Sequence, residues 1–237
     1  MTRKALVVGI NRYPFLKNKE EKTLNLEQAS QEAEKVAQLL HEYGDFEIHR
    51  YPCKKDNQNF DSKTDNPEEI DPKGTIKAKD LEEVILQLFC SSESEIPETA
   101  LLYFAGHGWQ KQDTNNSEGF LLARDDNPRK DKWGISLQWL RKVLEKSPIR
   151  QQIIWLDCCH SGEIFNFEKD DLAEYIKGRD RCFIAASRKF ESAISGVLTP
   201  ALLDALNPNN HEGFVNNYTL KDSLELALKD APQHPII

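Results

Sequence analysis

Short apolar runs without polar interruption constrain the fold of this chain more than any other feature. Three of them are KALVVGI at Lys4–Ile10, TALLYFA at Thr99–Ala105 and IIWL at Ile153–Leu156. Such runs are typical of strands in a parallel sheet that helices cover on both sides, because neither face meets water. The segments between them carry apolar residues at helical spacing, so strands and helices alternate. The sequence therefore predicts an α/β fold with a mostly parallel central sheet flanked by helices.

The remaining elements follow from periodicity and from capping residues. Helices are expected at 26–43, 78–90, 136–146, 197–206 and 220–229, and further strands at 46–51, 119–123 and 181–187. Gly44 is expected to end the first helix as a C-cap, and Ser136 to cap the third. Polar loops are expected at 111–118 and 125–132, a surface insertion at 52–73, an irregular charged segment at 163–181 and an extended tail from Pro232.

Length and charge limit the organisation and the partners of the chain. With 237 residues and no composition break, it is expected to form a single domain, 1–237, in which 163–181 is the only plausible division. The tail has no evident stop, which is compatible with a longer multidomain parent. The formal net charge of −8 argues against general binding to nucleic acid or to an anionic membrane. We therefore expect neither as a direct partner.

The cysteines and the N-terminus indicate a reducing, cytoplasmic location. The apolar run after Lys4 is too short for a signal-peptide core, and no run approaches the ~18 residues of a membrane span. The count of five cysteines is odd, and two of them are adjacent. Cys158, Cys159 and His160 are contiguous, which suits tetrahedral metal ligation poorly, and no glycine-rich phosphate loop follows the first strand. No cofactor or metal is expected.

Two predicted strands end in reactive side chains. His107 stands between two glycines after Thr99–Ala105, and Asp157, Cys158 and Cys159 follow Ile153–Leu156. The carboxyl ends of parallel strands meet at one edge of a sheet, so these residues are expected to converge. A cysteine nucleophile needs a base, because the thiolate is the reactive form, and a histidine on the adjacent tip supplies one.

Strand alternation distinguishes the two adjacent cysteines. Cys158 is expected to point into the core and Cys159 the opposite way. His160 is expected to be a positioned neighbour rather than the base. The amide N–H groups of Gly108 and Cys159 are candidates for an oxyanion hole. The other cysteines, Cys53, Cys90 and Cys182, are expected to be small buried apolar residues.

The two strand tips resemble a known family. YFAGHG at Tyr103–Gly108 and DCCHSG at Asp157–Gly162 are similar to the histidine and cysteine motifs of caspase-like peptidases (peptidase C14), closest to the metacaspase and prokaryotic orthocaspase branch. The resemblance extends to Lys4–Tyr13, Gly119–Leu122, Ile135–Leu144 and Ala185–Ser187 with Glu191. It implies a caspase-like three-layer sandwich with a large-subunit-like part at about 1–165, a loop at 163–181 and a small-subunit-like part at 181–237.

For the site, the resemblance implies a Cys–His dyad endopeptidase without a cofactor. Cys159 would be the nucleophile, His107 the base and later the acid, and the Gly108 N–H would help to hold the oxyanion. Asp157 matches a specificity-pocket position that selects Arg or Lys before the scissile bond. Glu32 matches the second pocket acid but is one carbon longer than the family's aspartate, which leaves the Arg-versus-Lys preference open. The alternative for Glu32 is a solvated helix face.

The resemblance also implies partners and regulation. The expected substrate is a protein or peptide with Arg or Lys at the cleavage site, in a bacterial cell-death, defence or signalling pathway. Self-cleavage is a hypothesis for the segment that holds Lys169, Lys177, Arg179 and Arg181, and an activating or regulatory protein or a fused sensor domain is a further expectation. Two alternatives stay open: a non-catalytic caspase-like interaction module, and a latent peptidase that a partner opens. No acidic cluster is specific enough to claim calcium.

Overall fold

The computed structural model describes residues 2–53, 69–90, 96–112, 117–165, 180–187, 196–210, 215–231 and 236. The strands are β1 (Arg3–Gly9), β2 (Glu47–Tyr51), β3 (Thr99–Ala105), β4 (Gly108–Gln112), β5 (Ser117–Leu121), β6 (Ile135–Ser136), β7 (Gln151–Asp157) and β8 (Asp180–Ala185). The helices are α1 (Ala29–Gly44), α2 (Ala78–Cys90), α3 (Leu137–Lys146), α4 (Leu198–Leu206) and α5 (Asn217–Ala227). Short 3-10 helices lie at Pro128–Lys130, Ser161–Phe165 and Pro208–Asn210.

The central sheet is parallel and has the strand order β2-β1-β3-β7-β8. Successive residues of its strands face opposite helical layers. In β3, Leu102 packs in the layer of α2 and α3, whereas Leu101 and Tyr103 pack in the layer of α1, α4 and α5. Because both faces are covered, polar residues are excluded from either side of the strand. The α/β fold with helices on both faces of a parallel sheet is confirmed.

A second, antiparallel sheet has the order β4-β5-β6 and corrects one prediction. Residues 111–118 were expected to form a polar loop, but Lys111 and Gln112 lie in β4 and Ser117 and Glu118 in β5. Only one face of an antiparallel hairpin has to be buried. The residues on the other face are therefore polar, and the apolar pattern that predicts a strand is weak. Residues 113–116 are outside the described part of the chain.

The ends of the first and third helices show how local hydrogen bonds set the boundaries. The N–H of Leu26 donates to the carbonyl of Asn11, which holds the chain outside the helix until Ala29. At the other end Gly44 is the last helical residue, and the left-handed C-cap is Asp45, one residue later than expected. The predicted cap at Ser136 is confirmed, because its Oγ accepts a hydrogen bond from the Trp139 N–H.

The cysteines are only partly as expected. Cys158 is buried, as predicted, whereas Cys90 is exposed and Cys53 and Cys182 are half-buried. Cys90 lies off the inward stripe of α2, which places it on the solvent side of the helix end. The apolar-core expectation was therefore wrong for Cys90.

Several expectations fall on residues outside the described ranges. These are most of the insertion at 52–73, most of the charged segment at 163–181, and the tail from Pro232 to Pro235. Beyond the tail, Ile236 forms an isolated antiparallel bridge with Ala185 of β8. None of the described helices is long and apolar enough to cross a membrane.

The left-handed cap at Asp45 gives a test of the fold's local energetics. Its φ of 55° is costly for a residue with a Cβ, so Asp45→Gly is expected to raise the free energy of unfolding by about 0.5–1 kcal/mol. Urea denaturation followed by circular dichroism measures the change. Asp45→Ala keeps the Cβ and serves as the control. An equal gain from the alanine variant would contradict the strain argument.

Candidate active site

The site lies where β3 and β7 end side by side. The two strands pair in register from Thr99 and Gln151 to Ala105 and Asp157, and the Gly106 N–H donates to the Asp157 carbonyl at 3.3 Å. Each chain continues past its strand at the same sheet edge. The structure thus brings the tips that carry His107 and Cys159 together, at the edge where open α/β sheets bind their ligands.

Gly108 is the point of closest approach between the two tips. A Cβ built on Gly108 would lie 1.9 Å from the carbonyl oxygen of Cys159 and 3.2 Å from the Sγ of Cys158. No side chain fits in that space, so glycine is required by the approach of one backbone to the other. The structure therefore places Gly108, the predicted oxyanion donor, against the peptide group of Cys159, the predicted nucleophile.

Two hydrogen bonds from one loop hold His107. The His107 N–H donates to Tyr13 Oη at 2.8 Å, and the imidazole Nε2 lies 2.7 Å from the carbonyl oxygen of Leu24. A carbonyl only accepts, so Nε2 carries the hydrogen of the neutral ring and Nδ1 is the basic nitrogen. Burial lowers the pKa of His107, and the bond to Leu24 opposes this in part. The imidazole is therefore kept neutral at neutral pH, with Nδ1 unprotonated.

Tyr13 and Leu24 are functional neighbours that sequence reasoning missed. Tyr13 is fully buried although it stands in a polar loop, and its ring packs on the His107 ring with 4.7 Å between centroids. Its N–H is fixed by Asn25 Oδ1 at 2.9 Å. A tyrosine between Arg12 and Pro14 was the available signal, but the role of a backbone carbonyl has no signature in a sequence.

The cysteine tip separates its two thiols as alternation predicts. Cys158 is buried and Cys159 is half-buried. Burial holds the pKa of the Cys158 thiol well above its usual range, so this thiol is a poor source of thiolate. The next residue, His160, takes a left-handed φ of 56°, which turns the chain into the 3-10 helix at Ser161–Phe165.

Glu163 ties the cysteine tip to the strands that follow His107. It is 2% exposed, and its Oε1 accepts hydrogen bonds from Gln110 Nε2 at 2.8 Å and from Ser117 Oγ at 2.9 Å. Its carbonyl accepts from Arg141 Nη1 at 2.5 Å. No sequence pattern indicated this role, because Glu163 is the first residue of a segment that was predicted to be charged and irregular.

The two predicted pocket acids form a buried pair beside the cysteine tip. Asp157 is 8% and Glu32 is 9% exposed, which excludes the solvated-face alternative for Glu32. Burial, reinforced by the charge of Asp157 and opposed by Lys35, raises the pKa of Glu32 to about 7. Burial also raises the pKa of Asp157, against two hydrogen bonds from Thr199. Two buried carboxyls with little positive charge nearby to neutralise them are suited to binding a cation.

Gly196 lies next to this pair with a φ of 78°. A Cβ there would lie 3.7 Å from Glu32 Oε1 and 3.3 Å from Gln28 Oε1. The left-handed backbone favours glycine, and its missing side chain leaves the space beside Glu32 open. Among the described residues, no group of three or more His, Cys, Asp or Glu side chains is arranged to hold a metal ion.

Comparison with known proteins agrees with the geometry. A sequence model of the caspase domain, peptidase C14, matches residues 2–223. The crystal structure of protein GSU0716 from Geobacter sulfurreducens is similar in fold, with a TM-score of 0.63 and 16% identity over 100% of this chain and 92% of that one. No curated protein matches the chain.

The contact at Gly108 predicts a strong effect of one methyl group. Gly108→Ala is expected to displace the Cys159 tip, because the added Cβ meets a backbone carbonyl that cannot rotate away. We expect a loss of about 1–3 kcal/mol in unfolding free energy and a changed alkylation rate of Cys159 by iodoacetamide. Gly44→Ala, whose nearest contact is the Phe46 ring at 2.9 Å, is the control far from the site. Unchanged alkylation in Gly108→Ala would contradict the close approach.

Proposed function

We propose that this chain, which belongs to the caspase-domain family of cysteine peptidases, is an endopeptidase that cleaves peptide bonds after Arg or Lys with a Cys159–His107 dyad. The observation that carries the proposal is the in-register pairing of β3 and β7, which delivers both tips and the acid of β7 to one sheet edge. The family membership supports cysteine-peptidase chemistry, and the buried acids support the preference for basic residues.

The proposed reaction uses groups whose positions are described above. Nδ1 of His107 accepts the Cys159 proton, and the thiolate attacks the scissile carbonyl carbon. The Gly108 N–H stabilises the oxyanion of the tetrahedral intermediate. His107 then donates its proton to the leaving amine, which departs and leaves an acyl-enzyme. Water, deprotonated by His107, attacks the thioester and releases the acid product and the free thiol.

Specificity is proposed to come from the acid pair. Asp157 stands two residues before the nucleophile, so a side chain that reaches it belongs to the residue at the scissile bond. A guanidinium or ammonium there donates charge-assisted hydrogen bonds to carboxylates in a site that is shielded from water. Glu32 adds a second carboxyl whose charge depends on pH near neutrality.

Self-processing is proposed for the segment between the cysteine tip and β8. Lys169, Lys177 and Arg179 lie outside the described residues. Arg181 is a poor cleavage point, because it lies in β8, where its Nε bonds Gln152 Oε1 at 2.8 Å and its Nη2 bonds the Leu144 carbonyl at 3.2 Å. We expect processing at the first three positions rather than at Arg181. All five cysteines are in the thiol form, and the setting that we propose is reducing and cytoplasmic.

Exchange of single cysteines tests the dyad. Cys159→Ala is expected to lower kcat for Arg and Lys reporter peptides on the order of 10⁴-fold or more, because the nucleophile is lost. Cys158→Ala removes a buried thiol that does not ionise and should keep most of the activity. Fluorogenic peptides with varied residues before the scissile bond measure both. The reverse pattern would refute the choice of nucleophile.

The same assay separates the two alternatives. A wild-type chain that cleaves only after a regulatory protein or processing is supplied is the latent peptidase. A chain that binds partners and turns over no peptide under any of these conditions is the interaction module, and this result would overturn the proposal.

The acid pair predicts how KM for substrates with a basic residue depends on pH. Below pH 7 Glu32 gains a proton and loses its charge, so KM for Arg reporters should rise as pH falls through about 7. Since burial lowers the pKa of His107, the loss of the base should occur at lower pH. Glu32→Gln is expected to remove the KM limb near pH 7, and Glu42→Gln, an exposed residue of the same helix, to retain it. A KM limb that persists in Glu32→Gln would exclude Glu32 as its source.

A further inference from the structure

Thr199 carries a role that neither the motifs nor the dyad account for. We propose that Thr199 is a specificity-determining positioning residue, whose hydroxyl, oriented by Tyr103, holds Asp157 as the anion of the acid pair and leaves the shared proton on Glu32. The charge assignment rests on the structure alone. Its consequence for substrate choice rests on the proposed preference for Arg or Lys.

The first observation is a buried chain of three polar side chains. Thr199 Oγ1 donates to Asp157 Oδ2 at 2.5 Å, and Tyr103 Oη lies 2.6 Å from the same Thr199 oxygen. Tyr103 and Thr199 are both 0% exposed. A threonine hydroxyl has one hydrogen, so when it donates to the carboxylate it must accept from the tyrosine. The direction is then set: Tyr103 donates to Thr199, and Thr199 to Asp157.

The second observation is the placement of Thr199 in the first turn of α4. The helix spans nine residues, and Thr199 is its second. The Thr199 backbone N–H also hydrogen-bonds Asp157, and both bonds lower the pKa of this carboxyl against the effect of burial. Unpaired N–H groups and the positive end of the helix dipole favour an anion at this position. One element, α4, therefore gives Asp157 a hydroxyl donor, an amide N–H donor and the positive end of a helix dipole.

Glu32 has a different environment. Among the residues that the structure describes, no hydrogen-bond donor reaches its carboxyl, and Lys35 of the same helix is the cation that lowers its pKa. Two buried carboxyls side by side repel, so a single proton between them is favoured near neutral pH. The donors on Asp157 place the negative charge there, and the proton then resides on Glu32.

The negative charge on Asp157 and the proton on Glu32 prepare the pocket for a cation. An Asp157 anion keeps acceptor capacity that the two bonds from Thr199 do not use, and a guanidinium that binds there displaces the proton of Glu32 to solvent. The titratable groups that face the pair are Tyr103 and Cys158, which burial keeps neutral, together with Lys35. The charge on Asp157 thus depends on donors from β3 and α4, of which Tyr103 opens the histidine motif and Thr199 lies outside both motifs.

Three variants test the role of Thr199 by titration. Thr199→Val removes the hydroxyl at nearly constant shape, Thr199→Ser restores it, and Tyr103→Phe removes only the donor behind it. Carbon-13 NMR of the side-chain carboxyls, assigned with Glu32→Gln and Asp157→Asn, follows each acid in the intact chain. In the wild type Glu32 should titrate near pH 7 while Asp157 stays ionised. In Thr199→Val the titration of Asp157 should move to higher pH, in Thr199→Ser it should not, and in Tyr103→Phe the shift should be smaller.

Kinetics report the consequence for specificity. Thr199→Val is expected to raise KM for Arg reporters roughly tenfold with kcat nearly unchanged, since one charge-assisted hydrogen bond is lost. Reporters with a neutral residue before the scissile bond should be unaffected. Protection of Cys159 from iodoacetamide by agmatine, a small guanidinium compound, should weaken to a similar extent, and this readout needs no turnover.

The outcomes separate the inference from the proposed function. If Asp157 titrates at the same pH in Thr199→Val as in the wild type, the inference is overturned, and a fall in thermal stability alone would then mark Thr199 as structural. If the wild type prefers neutral residues, the proposed specificity fails, whereas the NMR titration still decides the location of the proton.

Discussion

The parallel pairing of β3 with β7 is the constraint on which the site depends. Their register runs without a break from Thr99 and Gln151 to Ala105 and Asp157. Because parallel strands share a direction, every residue that follows one strand meets the residue that follows the other at one edge. Loss of this register would separate the histidine from the cysteine without altering either residue.

The two strand tips approach each other closely at that edge, and residues outside the central sheet hold them there. The contact of Gly108 with the Cys159 carbonyl leaves no room for a side chain, and buried polar groups around it need partners. Tyr13 and Leu24 supply them for His107, and Glu163 joins the cysteine tip to β4 and β5. The reactive groups are thus held by a loop, a hairpin and a 3-10 helix, none of which belongs to the central sheet.

Burial has opposite consequences for the base and for the acids. It lowers the pKa of His107, which keeps the imidazole neutral, and it raises the pKa of Glu32 to about 7, which weakens its charge. Asp157 is buried as well, but Thr199 compensates it with donors. On the proposed charge assignment, a neutral imidazole and one anion lie at the same sheet edge, because their hydrogen bonds differ.

The sequence by itself determined the fold class and the two strands that end in reactive side chains. It also identified His107, Cys158, Cys159, Asp157 and Glu32 as residues of interest. The fold class and the interest of His107, Cys158 and Cys159 follow from local patterns: uninterrupted apolar runs, alternation at a strand end, and a glycine on each side of a histidine. Glu32 and the pocket role of Asp157 came only from the resemblance to caspase-like peptidases. The strands of the second sheet were missed, since their polar face resembles a loop, and the exposure of Cys90 was misjudged. Only the tertiary structure decided which groups support the site. The tautomer of His107 depends on the carbonyl of Leu24, and Asp157 accepts a hydrogen bond from Thr199, and both partners are far away along the chain. Such bonds join residues that are distant in sequence and carry no periodicity, so only the folded chain reveals them.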